Sequence, residues 1–179
     1  MVTRAVLSLG SNIGNRMATL QGAVDLLLAG EGAPEAVSAS PVYETAPVGG
    51  PEQGAFLNAV LAVDTEDTPR ELLARAQSAE QAFERVREVR WGPRTLDVDV
   101  IAFGGVLDDD PVLTLPHPRA HLRAFVLRPW LDTDPSAVVP GRAPVAALLA
   151  GVEADDTEGE QKLVLRDDLR LRLPGEAGH

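Results

Sequence analysis

Residues 56–73 read Phe56-Leu57-Asn58-Ala59-Val60-Leu61-Ala62-Val63-Asp64-Thr65-Glu66-Asp67-Thr68-Pro69-Arg70-Glu71-Leu72-Leu73, and two structural signals follow one another within them. Residues 56–63 form a strongly apolar run of strand length. Thr68 then stands at a helix N-cap, Pro69 at the first helical position and Glu71 three residues after the cap, the reciprocal pattern of a capping box. Beyond it Leu72, Leu73, Ala76, Ala79, Phe83 and Val86 recur at helical spacing as a core stripe, with Gln77, Glu80, Glu84 and Arg87 on an adjoining one.

Working outward, residues 5–9 are a short apolar strand that ends at Gly10, followed by a tight polar turn, Gly10-Ser11-Asn12-Ile13-Gly14. Met17, Leu20, Val24, Leu27 and Leu28 mark a helix closed by Gly30 and Gly32. Residues 36–43 read as one strand and 45–54 as a loop. Downstream, 95–102 is another strand, 117–129 holds a short helix or turn beginning near Pro118, and 144–150 one more short helix. The tail from Gly151 is acidic and then alternates in Leu163-Val164-Leu165 and Leu169 to Leu173, so it adds an edge strand or stays partly disordered. The order strand, helix, strand, strand, helix, strand predicts an α+β sandwich of the split βαβ kind, with helices on one face of a mainly antiparallel sheet. Residues 1–150 are expected to form a single domain and 151–179 a C-terminal extension.

A chain of 179 residues suits one domain with a sufficient core. It has no cysteine, which excludes disulfides and thiolate metal sites. With neither a long apolar run nor a signal-peptide pattern, the expected location is the cytoplasm, with no membrane partner. The net charge of −11 argues against a nucleic-acid partner, which needs a positive footprint. Yet Arg85, Arg87, Arg90 and Arg94 fall within ten residues, a cationic cluster suited to a small anion.

Asp97 and Asp99 alternate with Leu96, Val98 and Val100. Period-two geometry puts both carboxylates on one sheet face. Aspartate is disfavoured inside strands, so something should compensate. Hard cations would, because Mg²⁺ prefers carboxylate oxygen while keeping room for water and phosphate. Taken alone, Asp-x-Asp reads more readily as a solvated edge; the flanking arginines and Trp91 reverse that preference. No Gly-x-x-x-x-Gly-Lys-Ser/Thr loop exists and the single lysine, Lys162, follows Glu160-Gln161, so any nucleotide phosphates must be held by arginines, whose planar fork suits them.

Several segments taken together resemble the 6-hydroxymethyl-7,8-dihydropterin pyrophosphokinase family of folate biosynthesis. They are Leu9-Gly10-Ser11-Asn12, Phe56-Leu57-Asn58-Ala59, Glu80 with Arg85-Val86-Arg87, the stretch Arg90-Trp91-Gly92-Pro93-Arg94-Thr95-Leu96-Asp97-Val98-Asp99, Leu113-Thr114-Leu115-Pro116-His117, and Arg123-Ala124-Phe125. The resemblance runs in order over about residues 5–135. It implies a ferredoxin-like α+β fold, a monomer, two Mg²⁺ ions, and transfer of the diphosphate of ATP to the pterin hydroxymethyl group with release of AMP. By position it makes Asp97 and Asp99 the metal-binding pair, and Arg85, Arg87 and Arg94 the phosphate-handling arginines. Gln77, Glu80, Arg87, Trp91, Arg94, Val100, Thr114, His117 and Arg123 would line the ATP site. Thr45, Val48 and Asn58 would hydrogen-bond the pterin, Phe56 and Phe125 would sandwich it, and Trp91 and Asp97 would also face it. The link from Arg87 to Trp91 is one residue shorter than in some members, and Phe56 and Pro118 each stand where some members have tyrosine.

The residues agree with this where chemistry can judge. A flat, polar-edged pterin needs two aromatic faces and a few fixed donors and acceptors. The chain has only seven aromatic residues, so Phe56 and Phe125 carry weight. Two other readings remain: another two-metal Asp-x-Asp nucleotidyl or glycosyl transferase, which leaves Phe56, Asn58 and Phe125 without a role, and a non-catalytic RNA-binding module, against which the net charge speaks.

Overall fold

The structure, a computed structural model, describes residues 1–47, 54–84 and 96–176. Its elements run β1 (Thr3–Ser11), α1 (Arg16–Leu27), β2 (Glu35–Ala39), β3 (Tyr43–Thr45), β4 (Phe56–Thr65), α2 (Pro69–Ala82), β5 (Asp97–Phe103), α3 (Ala124–Thr133), α4 (Val145–Asp155) and β6 (Leu163–Leu165), with a 3₁₀ turn, Ala120–Leu122, leading into α3. The strands form one six-stranded sheet in the order β5-β1-β4-β3-β6, with β2 also on β4, and every pairing is antiparallel. The fold is ferredoxin-like α+β.

The opening stretch behaves as its residues dictate. β4 is buried along nearly its whole length. Thr68 accepts from the Glu71 N–H while the Glu71 side chain accepts from the Thr68 N–H, so the capping box satisfies two N–H groups that a helix start otherwise leaves unpaired. Leu72, Ala76 and Ala79 are buried, Leu73 and Phe83 pack partly against the same core, and Val86 lies outside the described residues.

Period-two alternation divides the sheet between two cores. Ala5, Leu7 and Leu9 of β1, Leu57, Ala59, Leu61 and Val63 of β4, and Val98 and Val100 of β5 meet α1 and α2. Val6, Val60 and Ile101 point the opposite way, onto Leu127 and Trp130 of α3 and Val145 and Leu149 of α4. The expectation of helices on one face therefore holds for α1 and α2, while α3 and α4 cover the other. The pattern behind α3 was masked by Pro118 and Pro129; Pro129 sits inside the ten-residue helix.

Three local expectations change. Residues 36–43 form two strands, because Pro41 supplies no N–H and the Ser40 hydroxyl accepts from the Val60 N–H at 2.8 Å in place of a ladder contact. β1 continues through Ser11, so the turn falls later, at Gly14 with φ +66°. α4 runs through Gly151 to Asp155. The tail joins the body at several points, among them β6, which pairs with β3 at the sheet edge, and Gln21 of α1, which donates to the Arg172 carbonyl at 2.9 Å and accepts from its N–H at 2.8 Å.

Candidate active site

Register across the sheet builds the site. Asp97 of β5 stands opposite Gly10 of β1, Gly10 opposite Asn58 of β4, and Asn58 opposite Tyr43 of β3. One row further along β5 and β1, Asp99 stands opposite Ser8; in the other direction, Phe56 stands opposite Thr45. Directly opposed residues share a face, so all of these side chains belong to the α3 side of the sheet. α3 itself covers only part of that face, and a cavity of about 500 Å³ remains in front of its N-terminal turn, lined by Thr45, Phe56, Asn58, Asp97, Asp99 and Phe125 among others.

Gly10 forms the low point of the first row. A Cβ there would lie 3.2 Å from Oδ1 of Asn58 and 3.9 Å from Cδ1 of Phe56. Asn58 is 4% exposed, and its Nδ2 donates to Oγ1 of Thr45 at 2.8 Å. The start of β4 is held from α1 by Arg16, which donates to the Ala55 carbonyl at 2.9 Å and pairs with Glu44. A wider depression beside α2 of about 660 Å³ includes the Asp67–Arg75 ion pair but no aromatic side chain.

Charges converge above the aspartates. Burial lowers the pKa of the His117 imidazole below its usual range; Asp99 opposes the shift, and Arg123 and Arg119 add to it. Burial likewise draws the Arg123 guanidinium down, against the pull of Asp99 and Asp97. Arg123 lies over the Phe125 ring, 5.4 Å from its centroid. The half-buried Asp97 and Asp99 thus face arginine and histidine rather than bulk water alone.

The expected nucleotide residues fall mainly along the outer edge of β5. Oε1 of Glu80 accepts from the Val98 N–H at 3.0 Å, and the His117 N–H donates to the Ile101 carbonyl at 2.8 Å. Gln77 is exposed one turn earlier on α2. The Thr114 hydroxyl donates to the Asp110 carbonyl at 3.0 Å and borders a separate depression with Pro116 and Pro118. Val100 is 3% exposed with its side chain in the α1–α2 core, on the face opposite the aspartates, which leaves its main chain for any contact. Arg85, Arg87, Trp91, Arg94 and Val48 lie outside the described residues.

Sequence reasoning passed over Ser8, Gly10, Arg119, Glu160 and Gln161, all of which line the cavity. Gly10 was within a quoted motif, but its role depends on both neighbouring strands. Glu160 and Gln161 arrive from the tail, and nothing local marks them.

The Asp97–Asp99 pair is a hard-oxygen donor set of the type Mg²⁺ takes. Among the described residues no group of three or more histidine, aspartate or glutamate side chains is arranged to hold a metal.

Comparison with known proteins identifies the family of the chain. Residues 6–135 match the family model of 7,8-dihydro-6-hydroxymethylpterin-pyrophosphokinase. Proteins named 2-amino-4-hydroxy-6-hydroxymethyldihydropteridine pyrophosphokinase from Mycobacterium leprae and Mycobacterium tuberculosis are 50% and 47% identical, each aligning over 97% of this chain and over 95% and 96% of their own. One of the same name from Pseudomonas aeruginosa is 40% identical over 88% of this chain and 97% of its own. Among solved structures, a Plasmodium falciparum HPPK-DHPS chain superposes with a TM-score of 0.70 at 14% identity, covering 90% of this chain. This chain spans about half the length of that one, 46%, and the likeness bears on the fold alone.

Proposed function

Because this chain belongs to the 7,8-dihydro-6-hydroxymethylpterin-pyrophosphokinase family, we propose that the cavity in front of α3 is where it holds its pterin acceptor, and that Asp97 and Asp99 organise the transfer at the cavity floor. The reaction moves the diphosphate of ATP to the hydroxymethyl group of 6-hydroxymethyl-7,8-dihydropterin and releases AMP, a step of folate biosynthesis. The comparisons lend nothing to a nucleotidyl or glycosyl transferase.

The observation that carries the site assignment is the shared face of Asp97, Asp99, Asn58 and Phe56 in register across β5, β1 and β4. Phe56 and Phe125 offer the flat ring two apolar surfaces. Asn58, oriented by Thr45, offers its edge a fixed polar group. Asp97 and Asp99 would hold two Mg²⁺ ions, which supply neutralisation of phosphate charge when bound. Arg123 sets a fixed positive charge beside the carboxylates, and we place Arg85, Arg87 and Arg94 with it on the phosphates and Trp91 at the nucleotide. Gln77, Glu80, Thr114, His117 and the Val100 main chain form the nucleotide side along β5, and Val48 joins Thr45 on the pterin edge. As the hydroxymethyl oxygen forms its bond to the β-phosphorus, its proton passes to solvent and the bond from that phosphorus to the α,β-bridging oxygen breaks, so that AMP departs with that oxygen; preset charges need no reorganisation at that moment. The proposal includes a monomer acting in the cytoplasm.

Incubating the protein with ATP, Mg²⁺ and the reduced pterin alcohol should yield AMP and the pterin diphosphate. Asp97→Ala should lose turnover while keeping its circular dichroism spectrum. Near-normal activity in that variant would overturn the role given to the aspartates.

A further inference from the structure

Residues near the C-terminus reach the acceptor cavity, and one of them holds the element that carries Arg123 and Phe125. After α4 ends, the Asp156 carboxylate accepts from the N–H groups of Glu160 at 2.8 Å and Gln161 at 2.9 Å, which folds the chain back at Gly159, φ +68°. The returning segment enters β6 immediately, where Leu163 pairs with Thr45 of β3. It therefore bridges from α4 to the strand that bears a polar wall of the cavity.

Gln161 stands in that bridge. Its Oε1 accepts from the N–H of Ala124 at 2.8 Å. Ala124 is the first residue of α3, and the N-cap Arg123 makes no side-chain capping bond of its own. The first turn of a helix leaves N–H groups without intrahelical partners, and here one is satisfied by a side chain 37 positions away. The two residues flanking that N–H are Arg123, over the Phe125 ring, and Phe125 itself. A rotation of this turn moves both the ring and the charge.

We propose that Gln161 is a positioning residue of the acceptor site, acting through the Ala124 N–H to set Phe125 and Arg123. This rests on the reading of the cavity as the acceptor site. The tail is then part of the machinery of substrate recognition, through one hydrogen bond.

The test uses the full chain at saturating ATP with the reduced pterin alcohol varied. Gln161→Ala should raise the acceptor KM about tenfold, the scale of losing one helix cap, with a smaller fall in kcat from the displaced Arg123 charge. Gln161→Asn, too short to reach Ala124, should do the same and serves if the alanine variant folds poorly. Gln161→Glu keeps an acceptor oxygen at full length and should recover most of the loss. A purely structural role would lower the active fraction, and with it the apparent kcat, leaving KM unchanged; that result, or a KM rise not recovered by glutamate, overturns the inference. Phe56→Ala is the reference: if it raises the acceptor KM while Gln161→Ala and Gln161→Asn do not, the positioning role alone falls. If Phe56→Ala also leaves KM unchanged, the acceptor-site reading falls with it.

Discussion

Asn58 on β4 donates through Nδ2 to Oγ1 of Thr45 on β3, 2.8 Å away, so the two polar side chains of the cavity wall fix each other's orientation. Thr45→Val keeps the shape of the threonine and removes the oxygen. Asn58 is 4% exposed, and a buried amide left unpaired costs about 1–3 kcal/mol. Urea denaturation should show that loss, and the acceptor KM should rise because the Asn58 amide is freed to rotate. Unchanged stability and unchanged KM together would show that the contact fixes nothing.

Gly10→Ala places a methyl group 3.2 Å from Oδ1 of Asn58, closer than a carbon comfortably sits, and on the cavity side of the sheet. The asparagine must give way, since the strand behind Gly10 lies between two others. Overpacking of this kind costs about 1–3 kcal/mol. Calorimetric titration should show pterin affinity falling about tenfold or more, by the same order of energy, with ATP affinity changed much less. An equal loss for both ligands would place Gly10 outside the acceptor side.

Tyr43 is the only tyrosine of the chain, which makes its titration directly readable by absorbance near 295 nm. Burial, followed by its hydrogen bond to Asp132, pushes its pKa up to about 12. The neutral phenol is thus favoured in the folded state. Its contribution to stability should be complete below about pH 10, the unfolded value, and lost as pH rises through about 12. At pH 11 the folded protein should show little tyrosinate, and the urea-unfolded protein mostly tyrosinate. A folded-state midpoint near 10 would contradict the Tyr43–Asp132 contact. Tyr43→Phe should remove this arm of the pH profile.

Much of the architecture was legible because it is written locally. The capping box at Thr68 and Glu71, the alternation around Asp97 and the apolar run of β4 each depend on residues a few positions apart, and each element forms where its residues point. What escaped is non-local. Whether a strand face meets α1 or α3 is decided by packing, so helices on both faces were not visible in the order of elements. Ser40 and Pro41 split one expected strand because the Ser40 hydroxyl finds Val60, twenty residues on. Phe56, Asn58, Asp97, Asp99 and Phe125 line one cavity, whereas the Val100 side chain faces the opposite core. Gln161 could not be found from its neighbours, since its meaning lies in an N–H at Ala124.

Among the described residues β5 pairs with a strand on one side only. An open ladder invites recruitment of a strand from another molecule, the first step of aggregation. Here the Val98 N–H is already taken by Glu80 and the Ile101 carbonyl by His117, and two aspartates stand on the same strand. A foreign strand would have to displace those bonds and approach two negative charges. The residues proposed for the site thereby also guard this margin of the sheet against polymerisation.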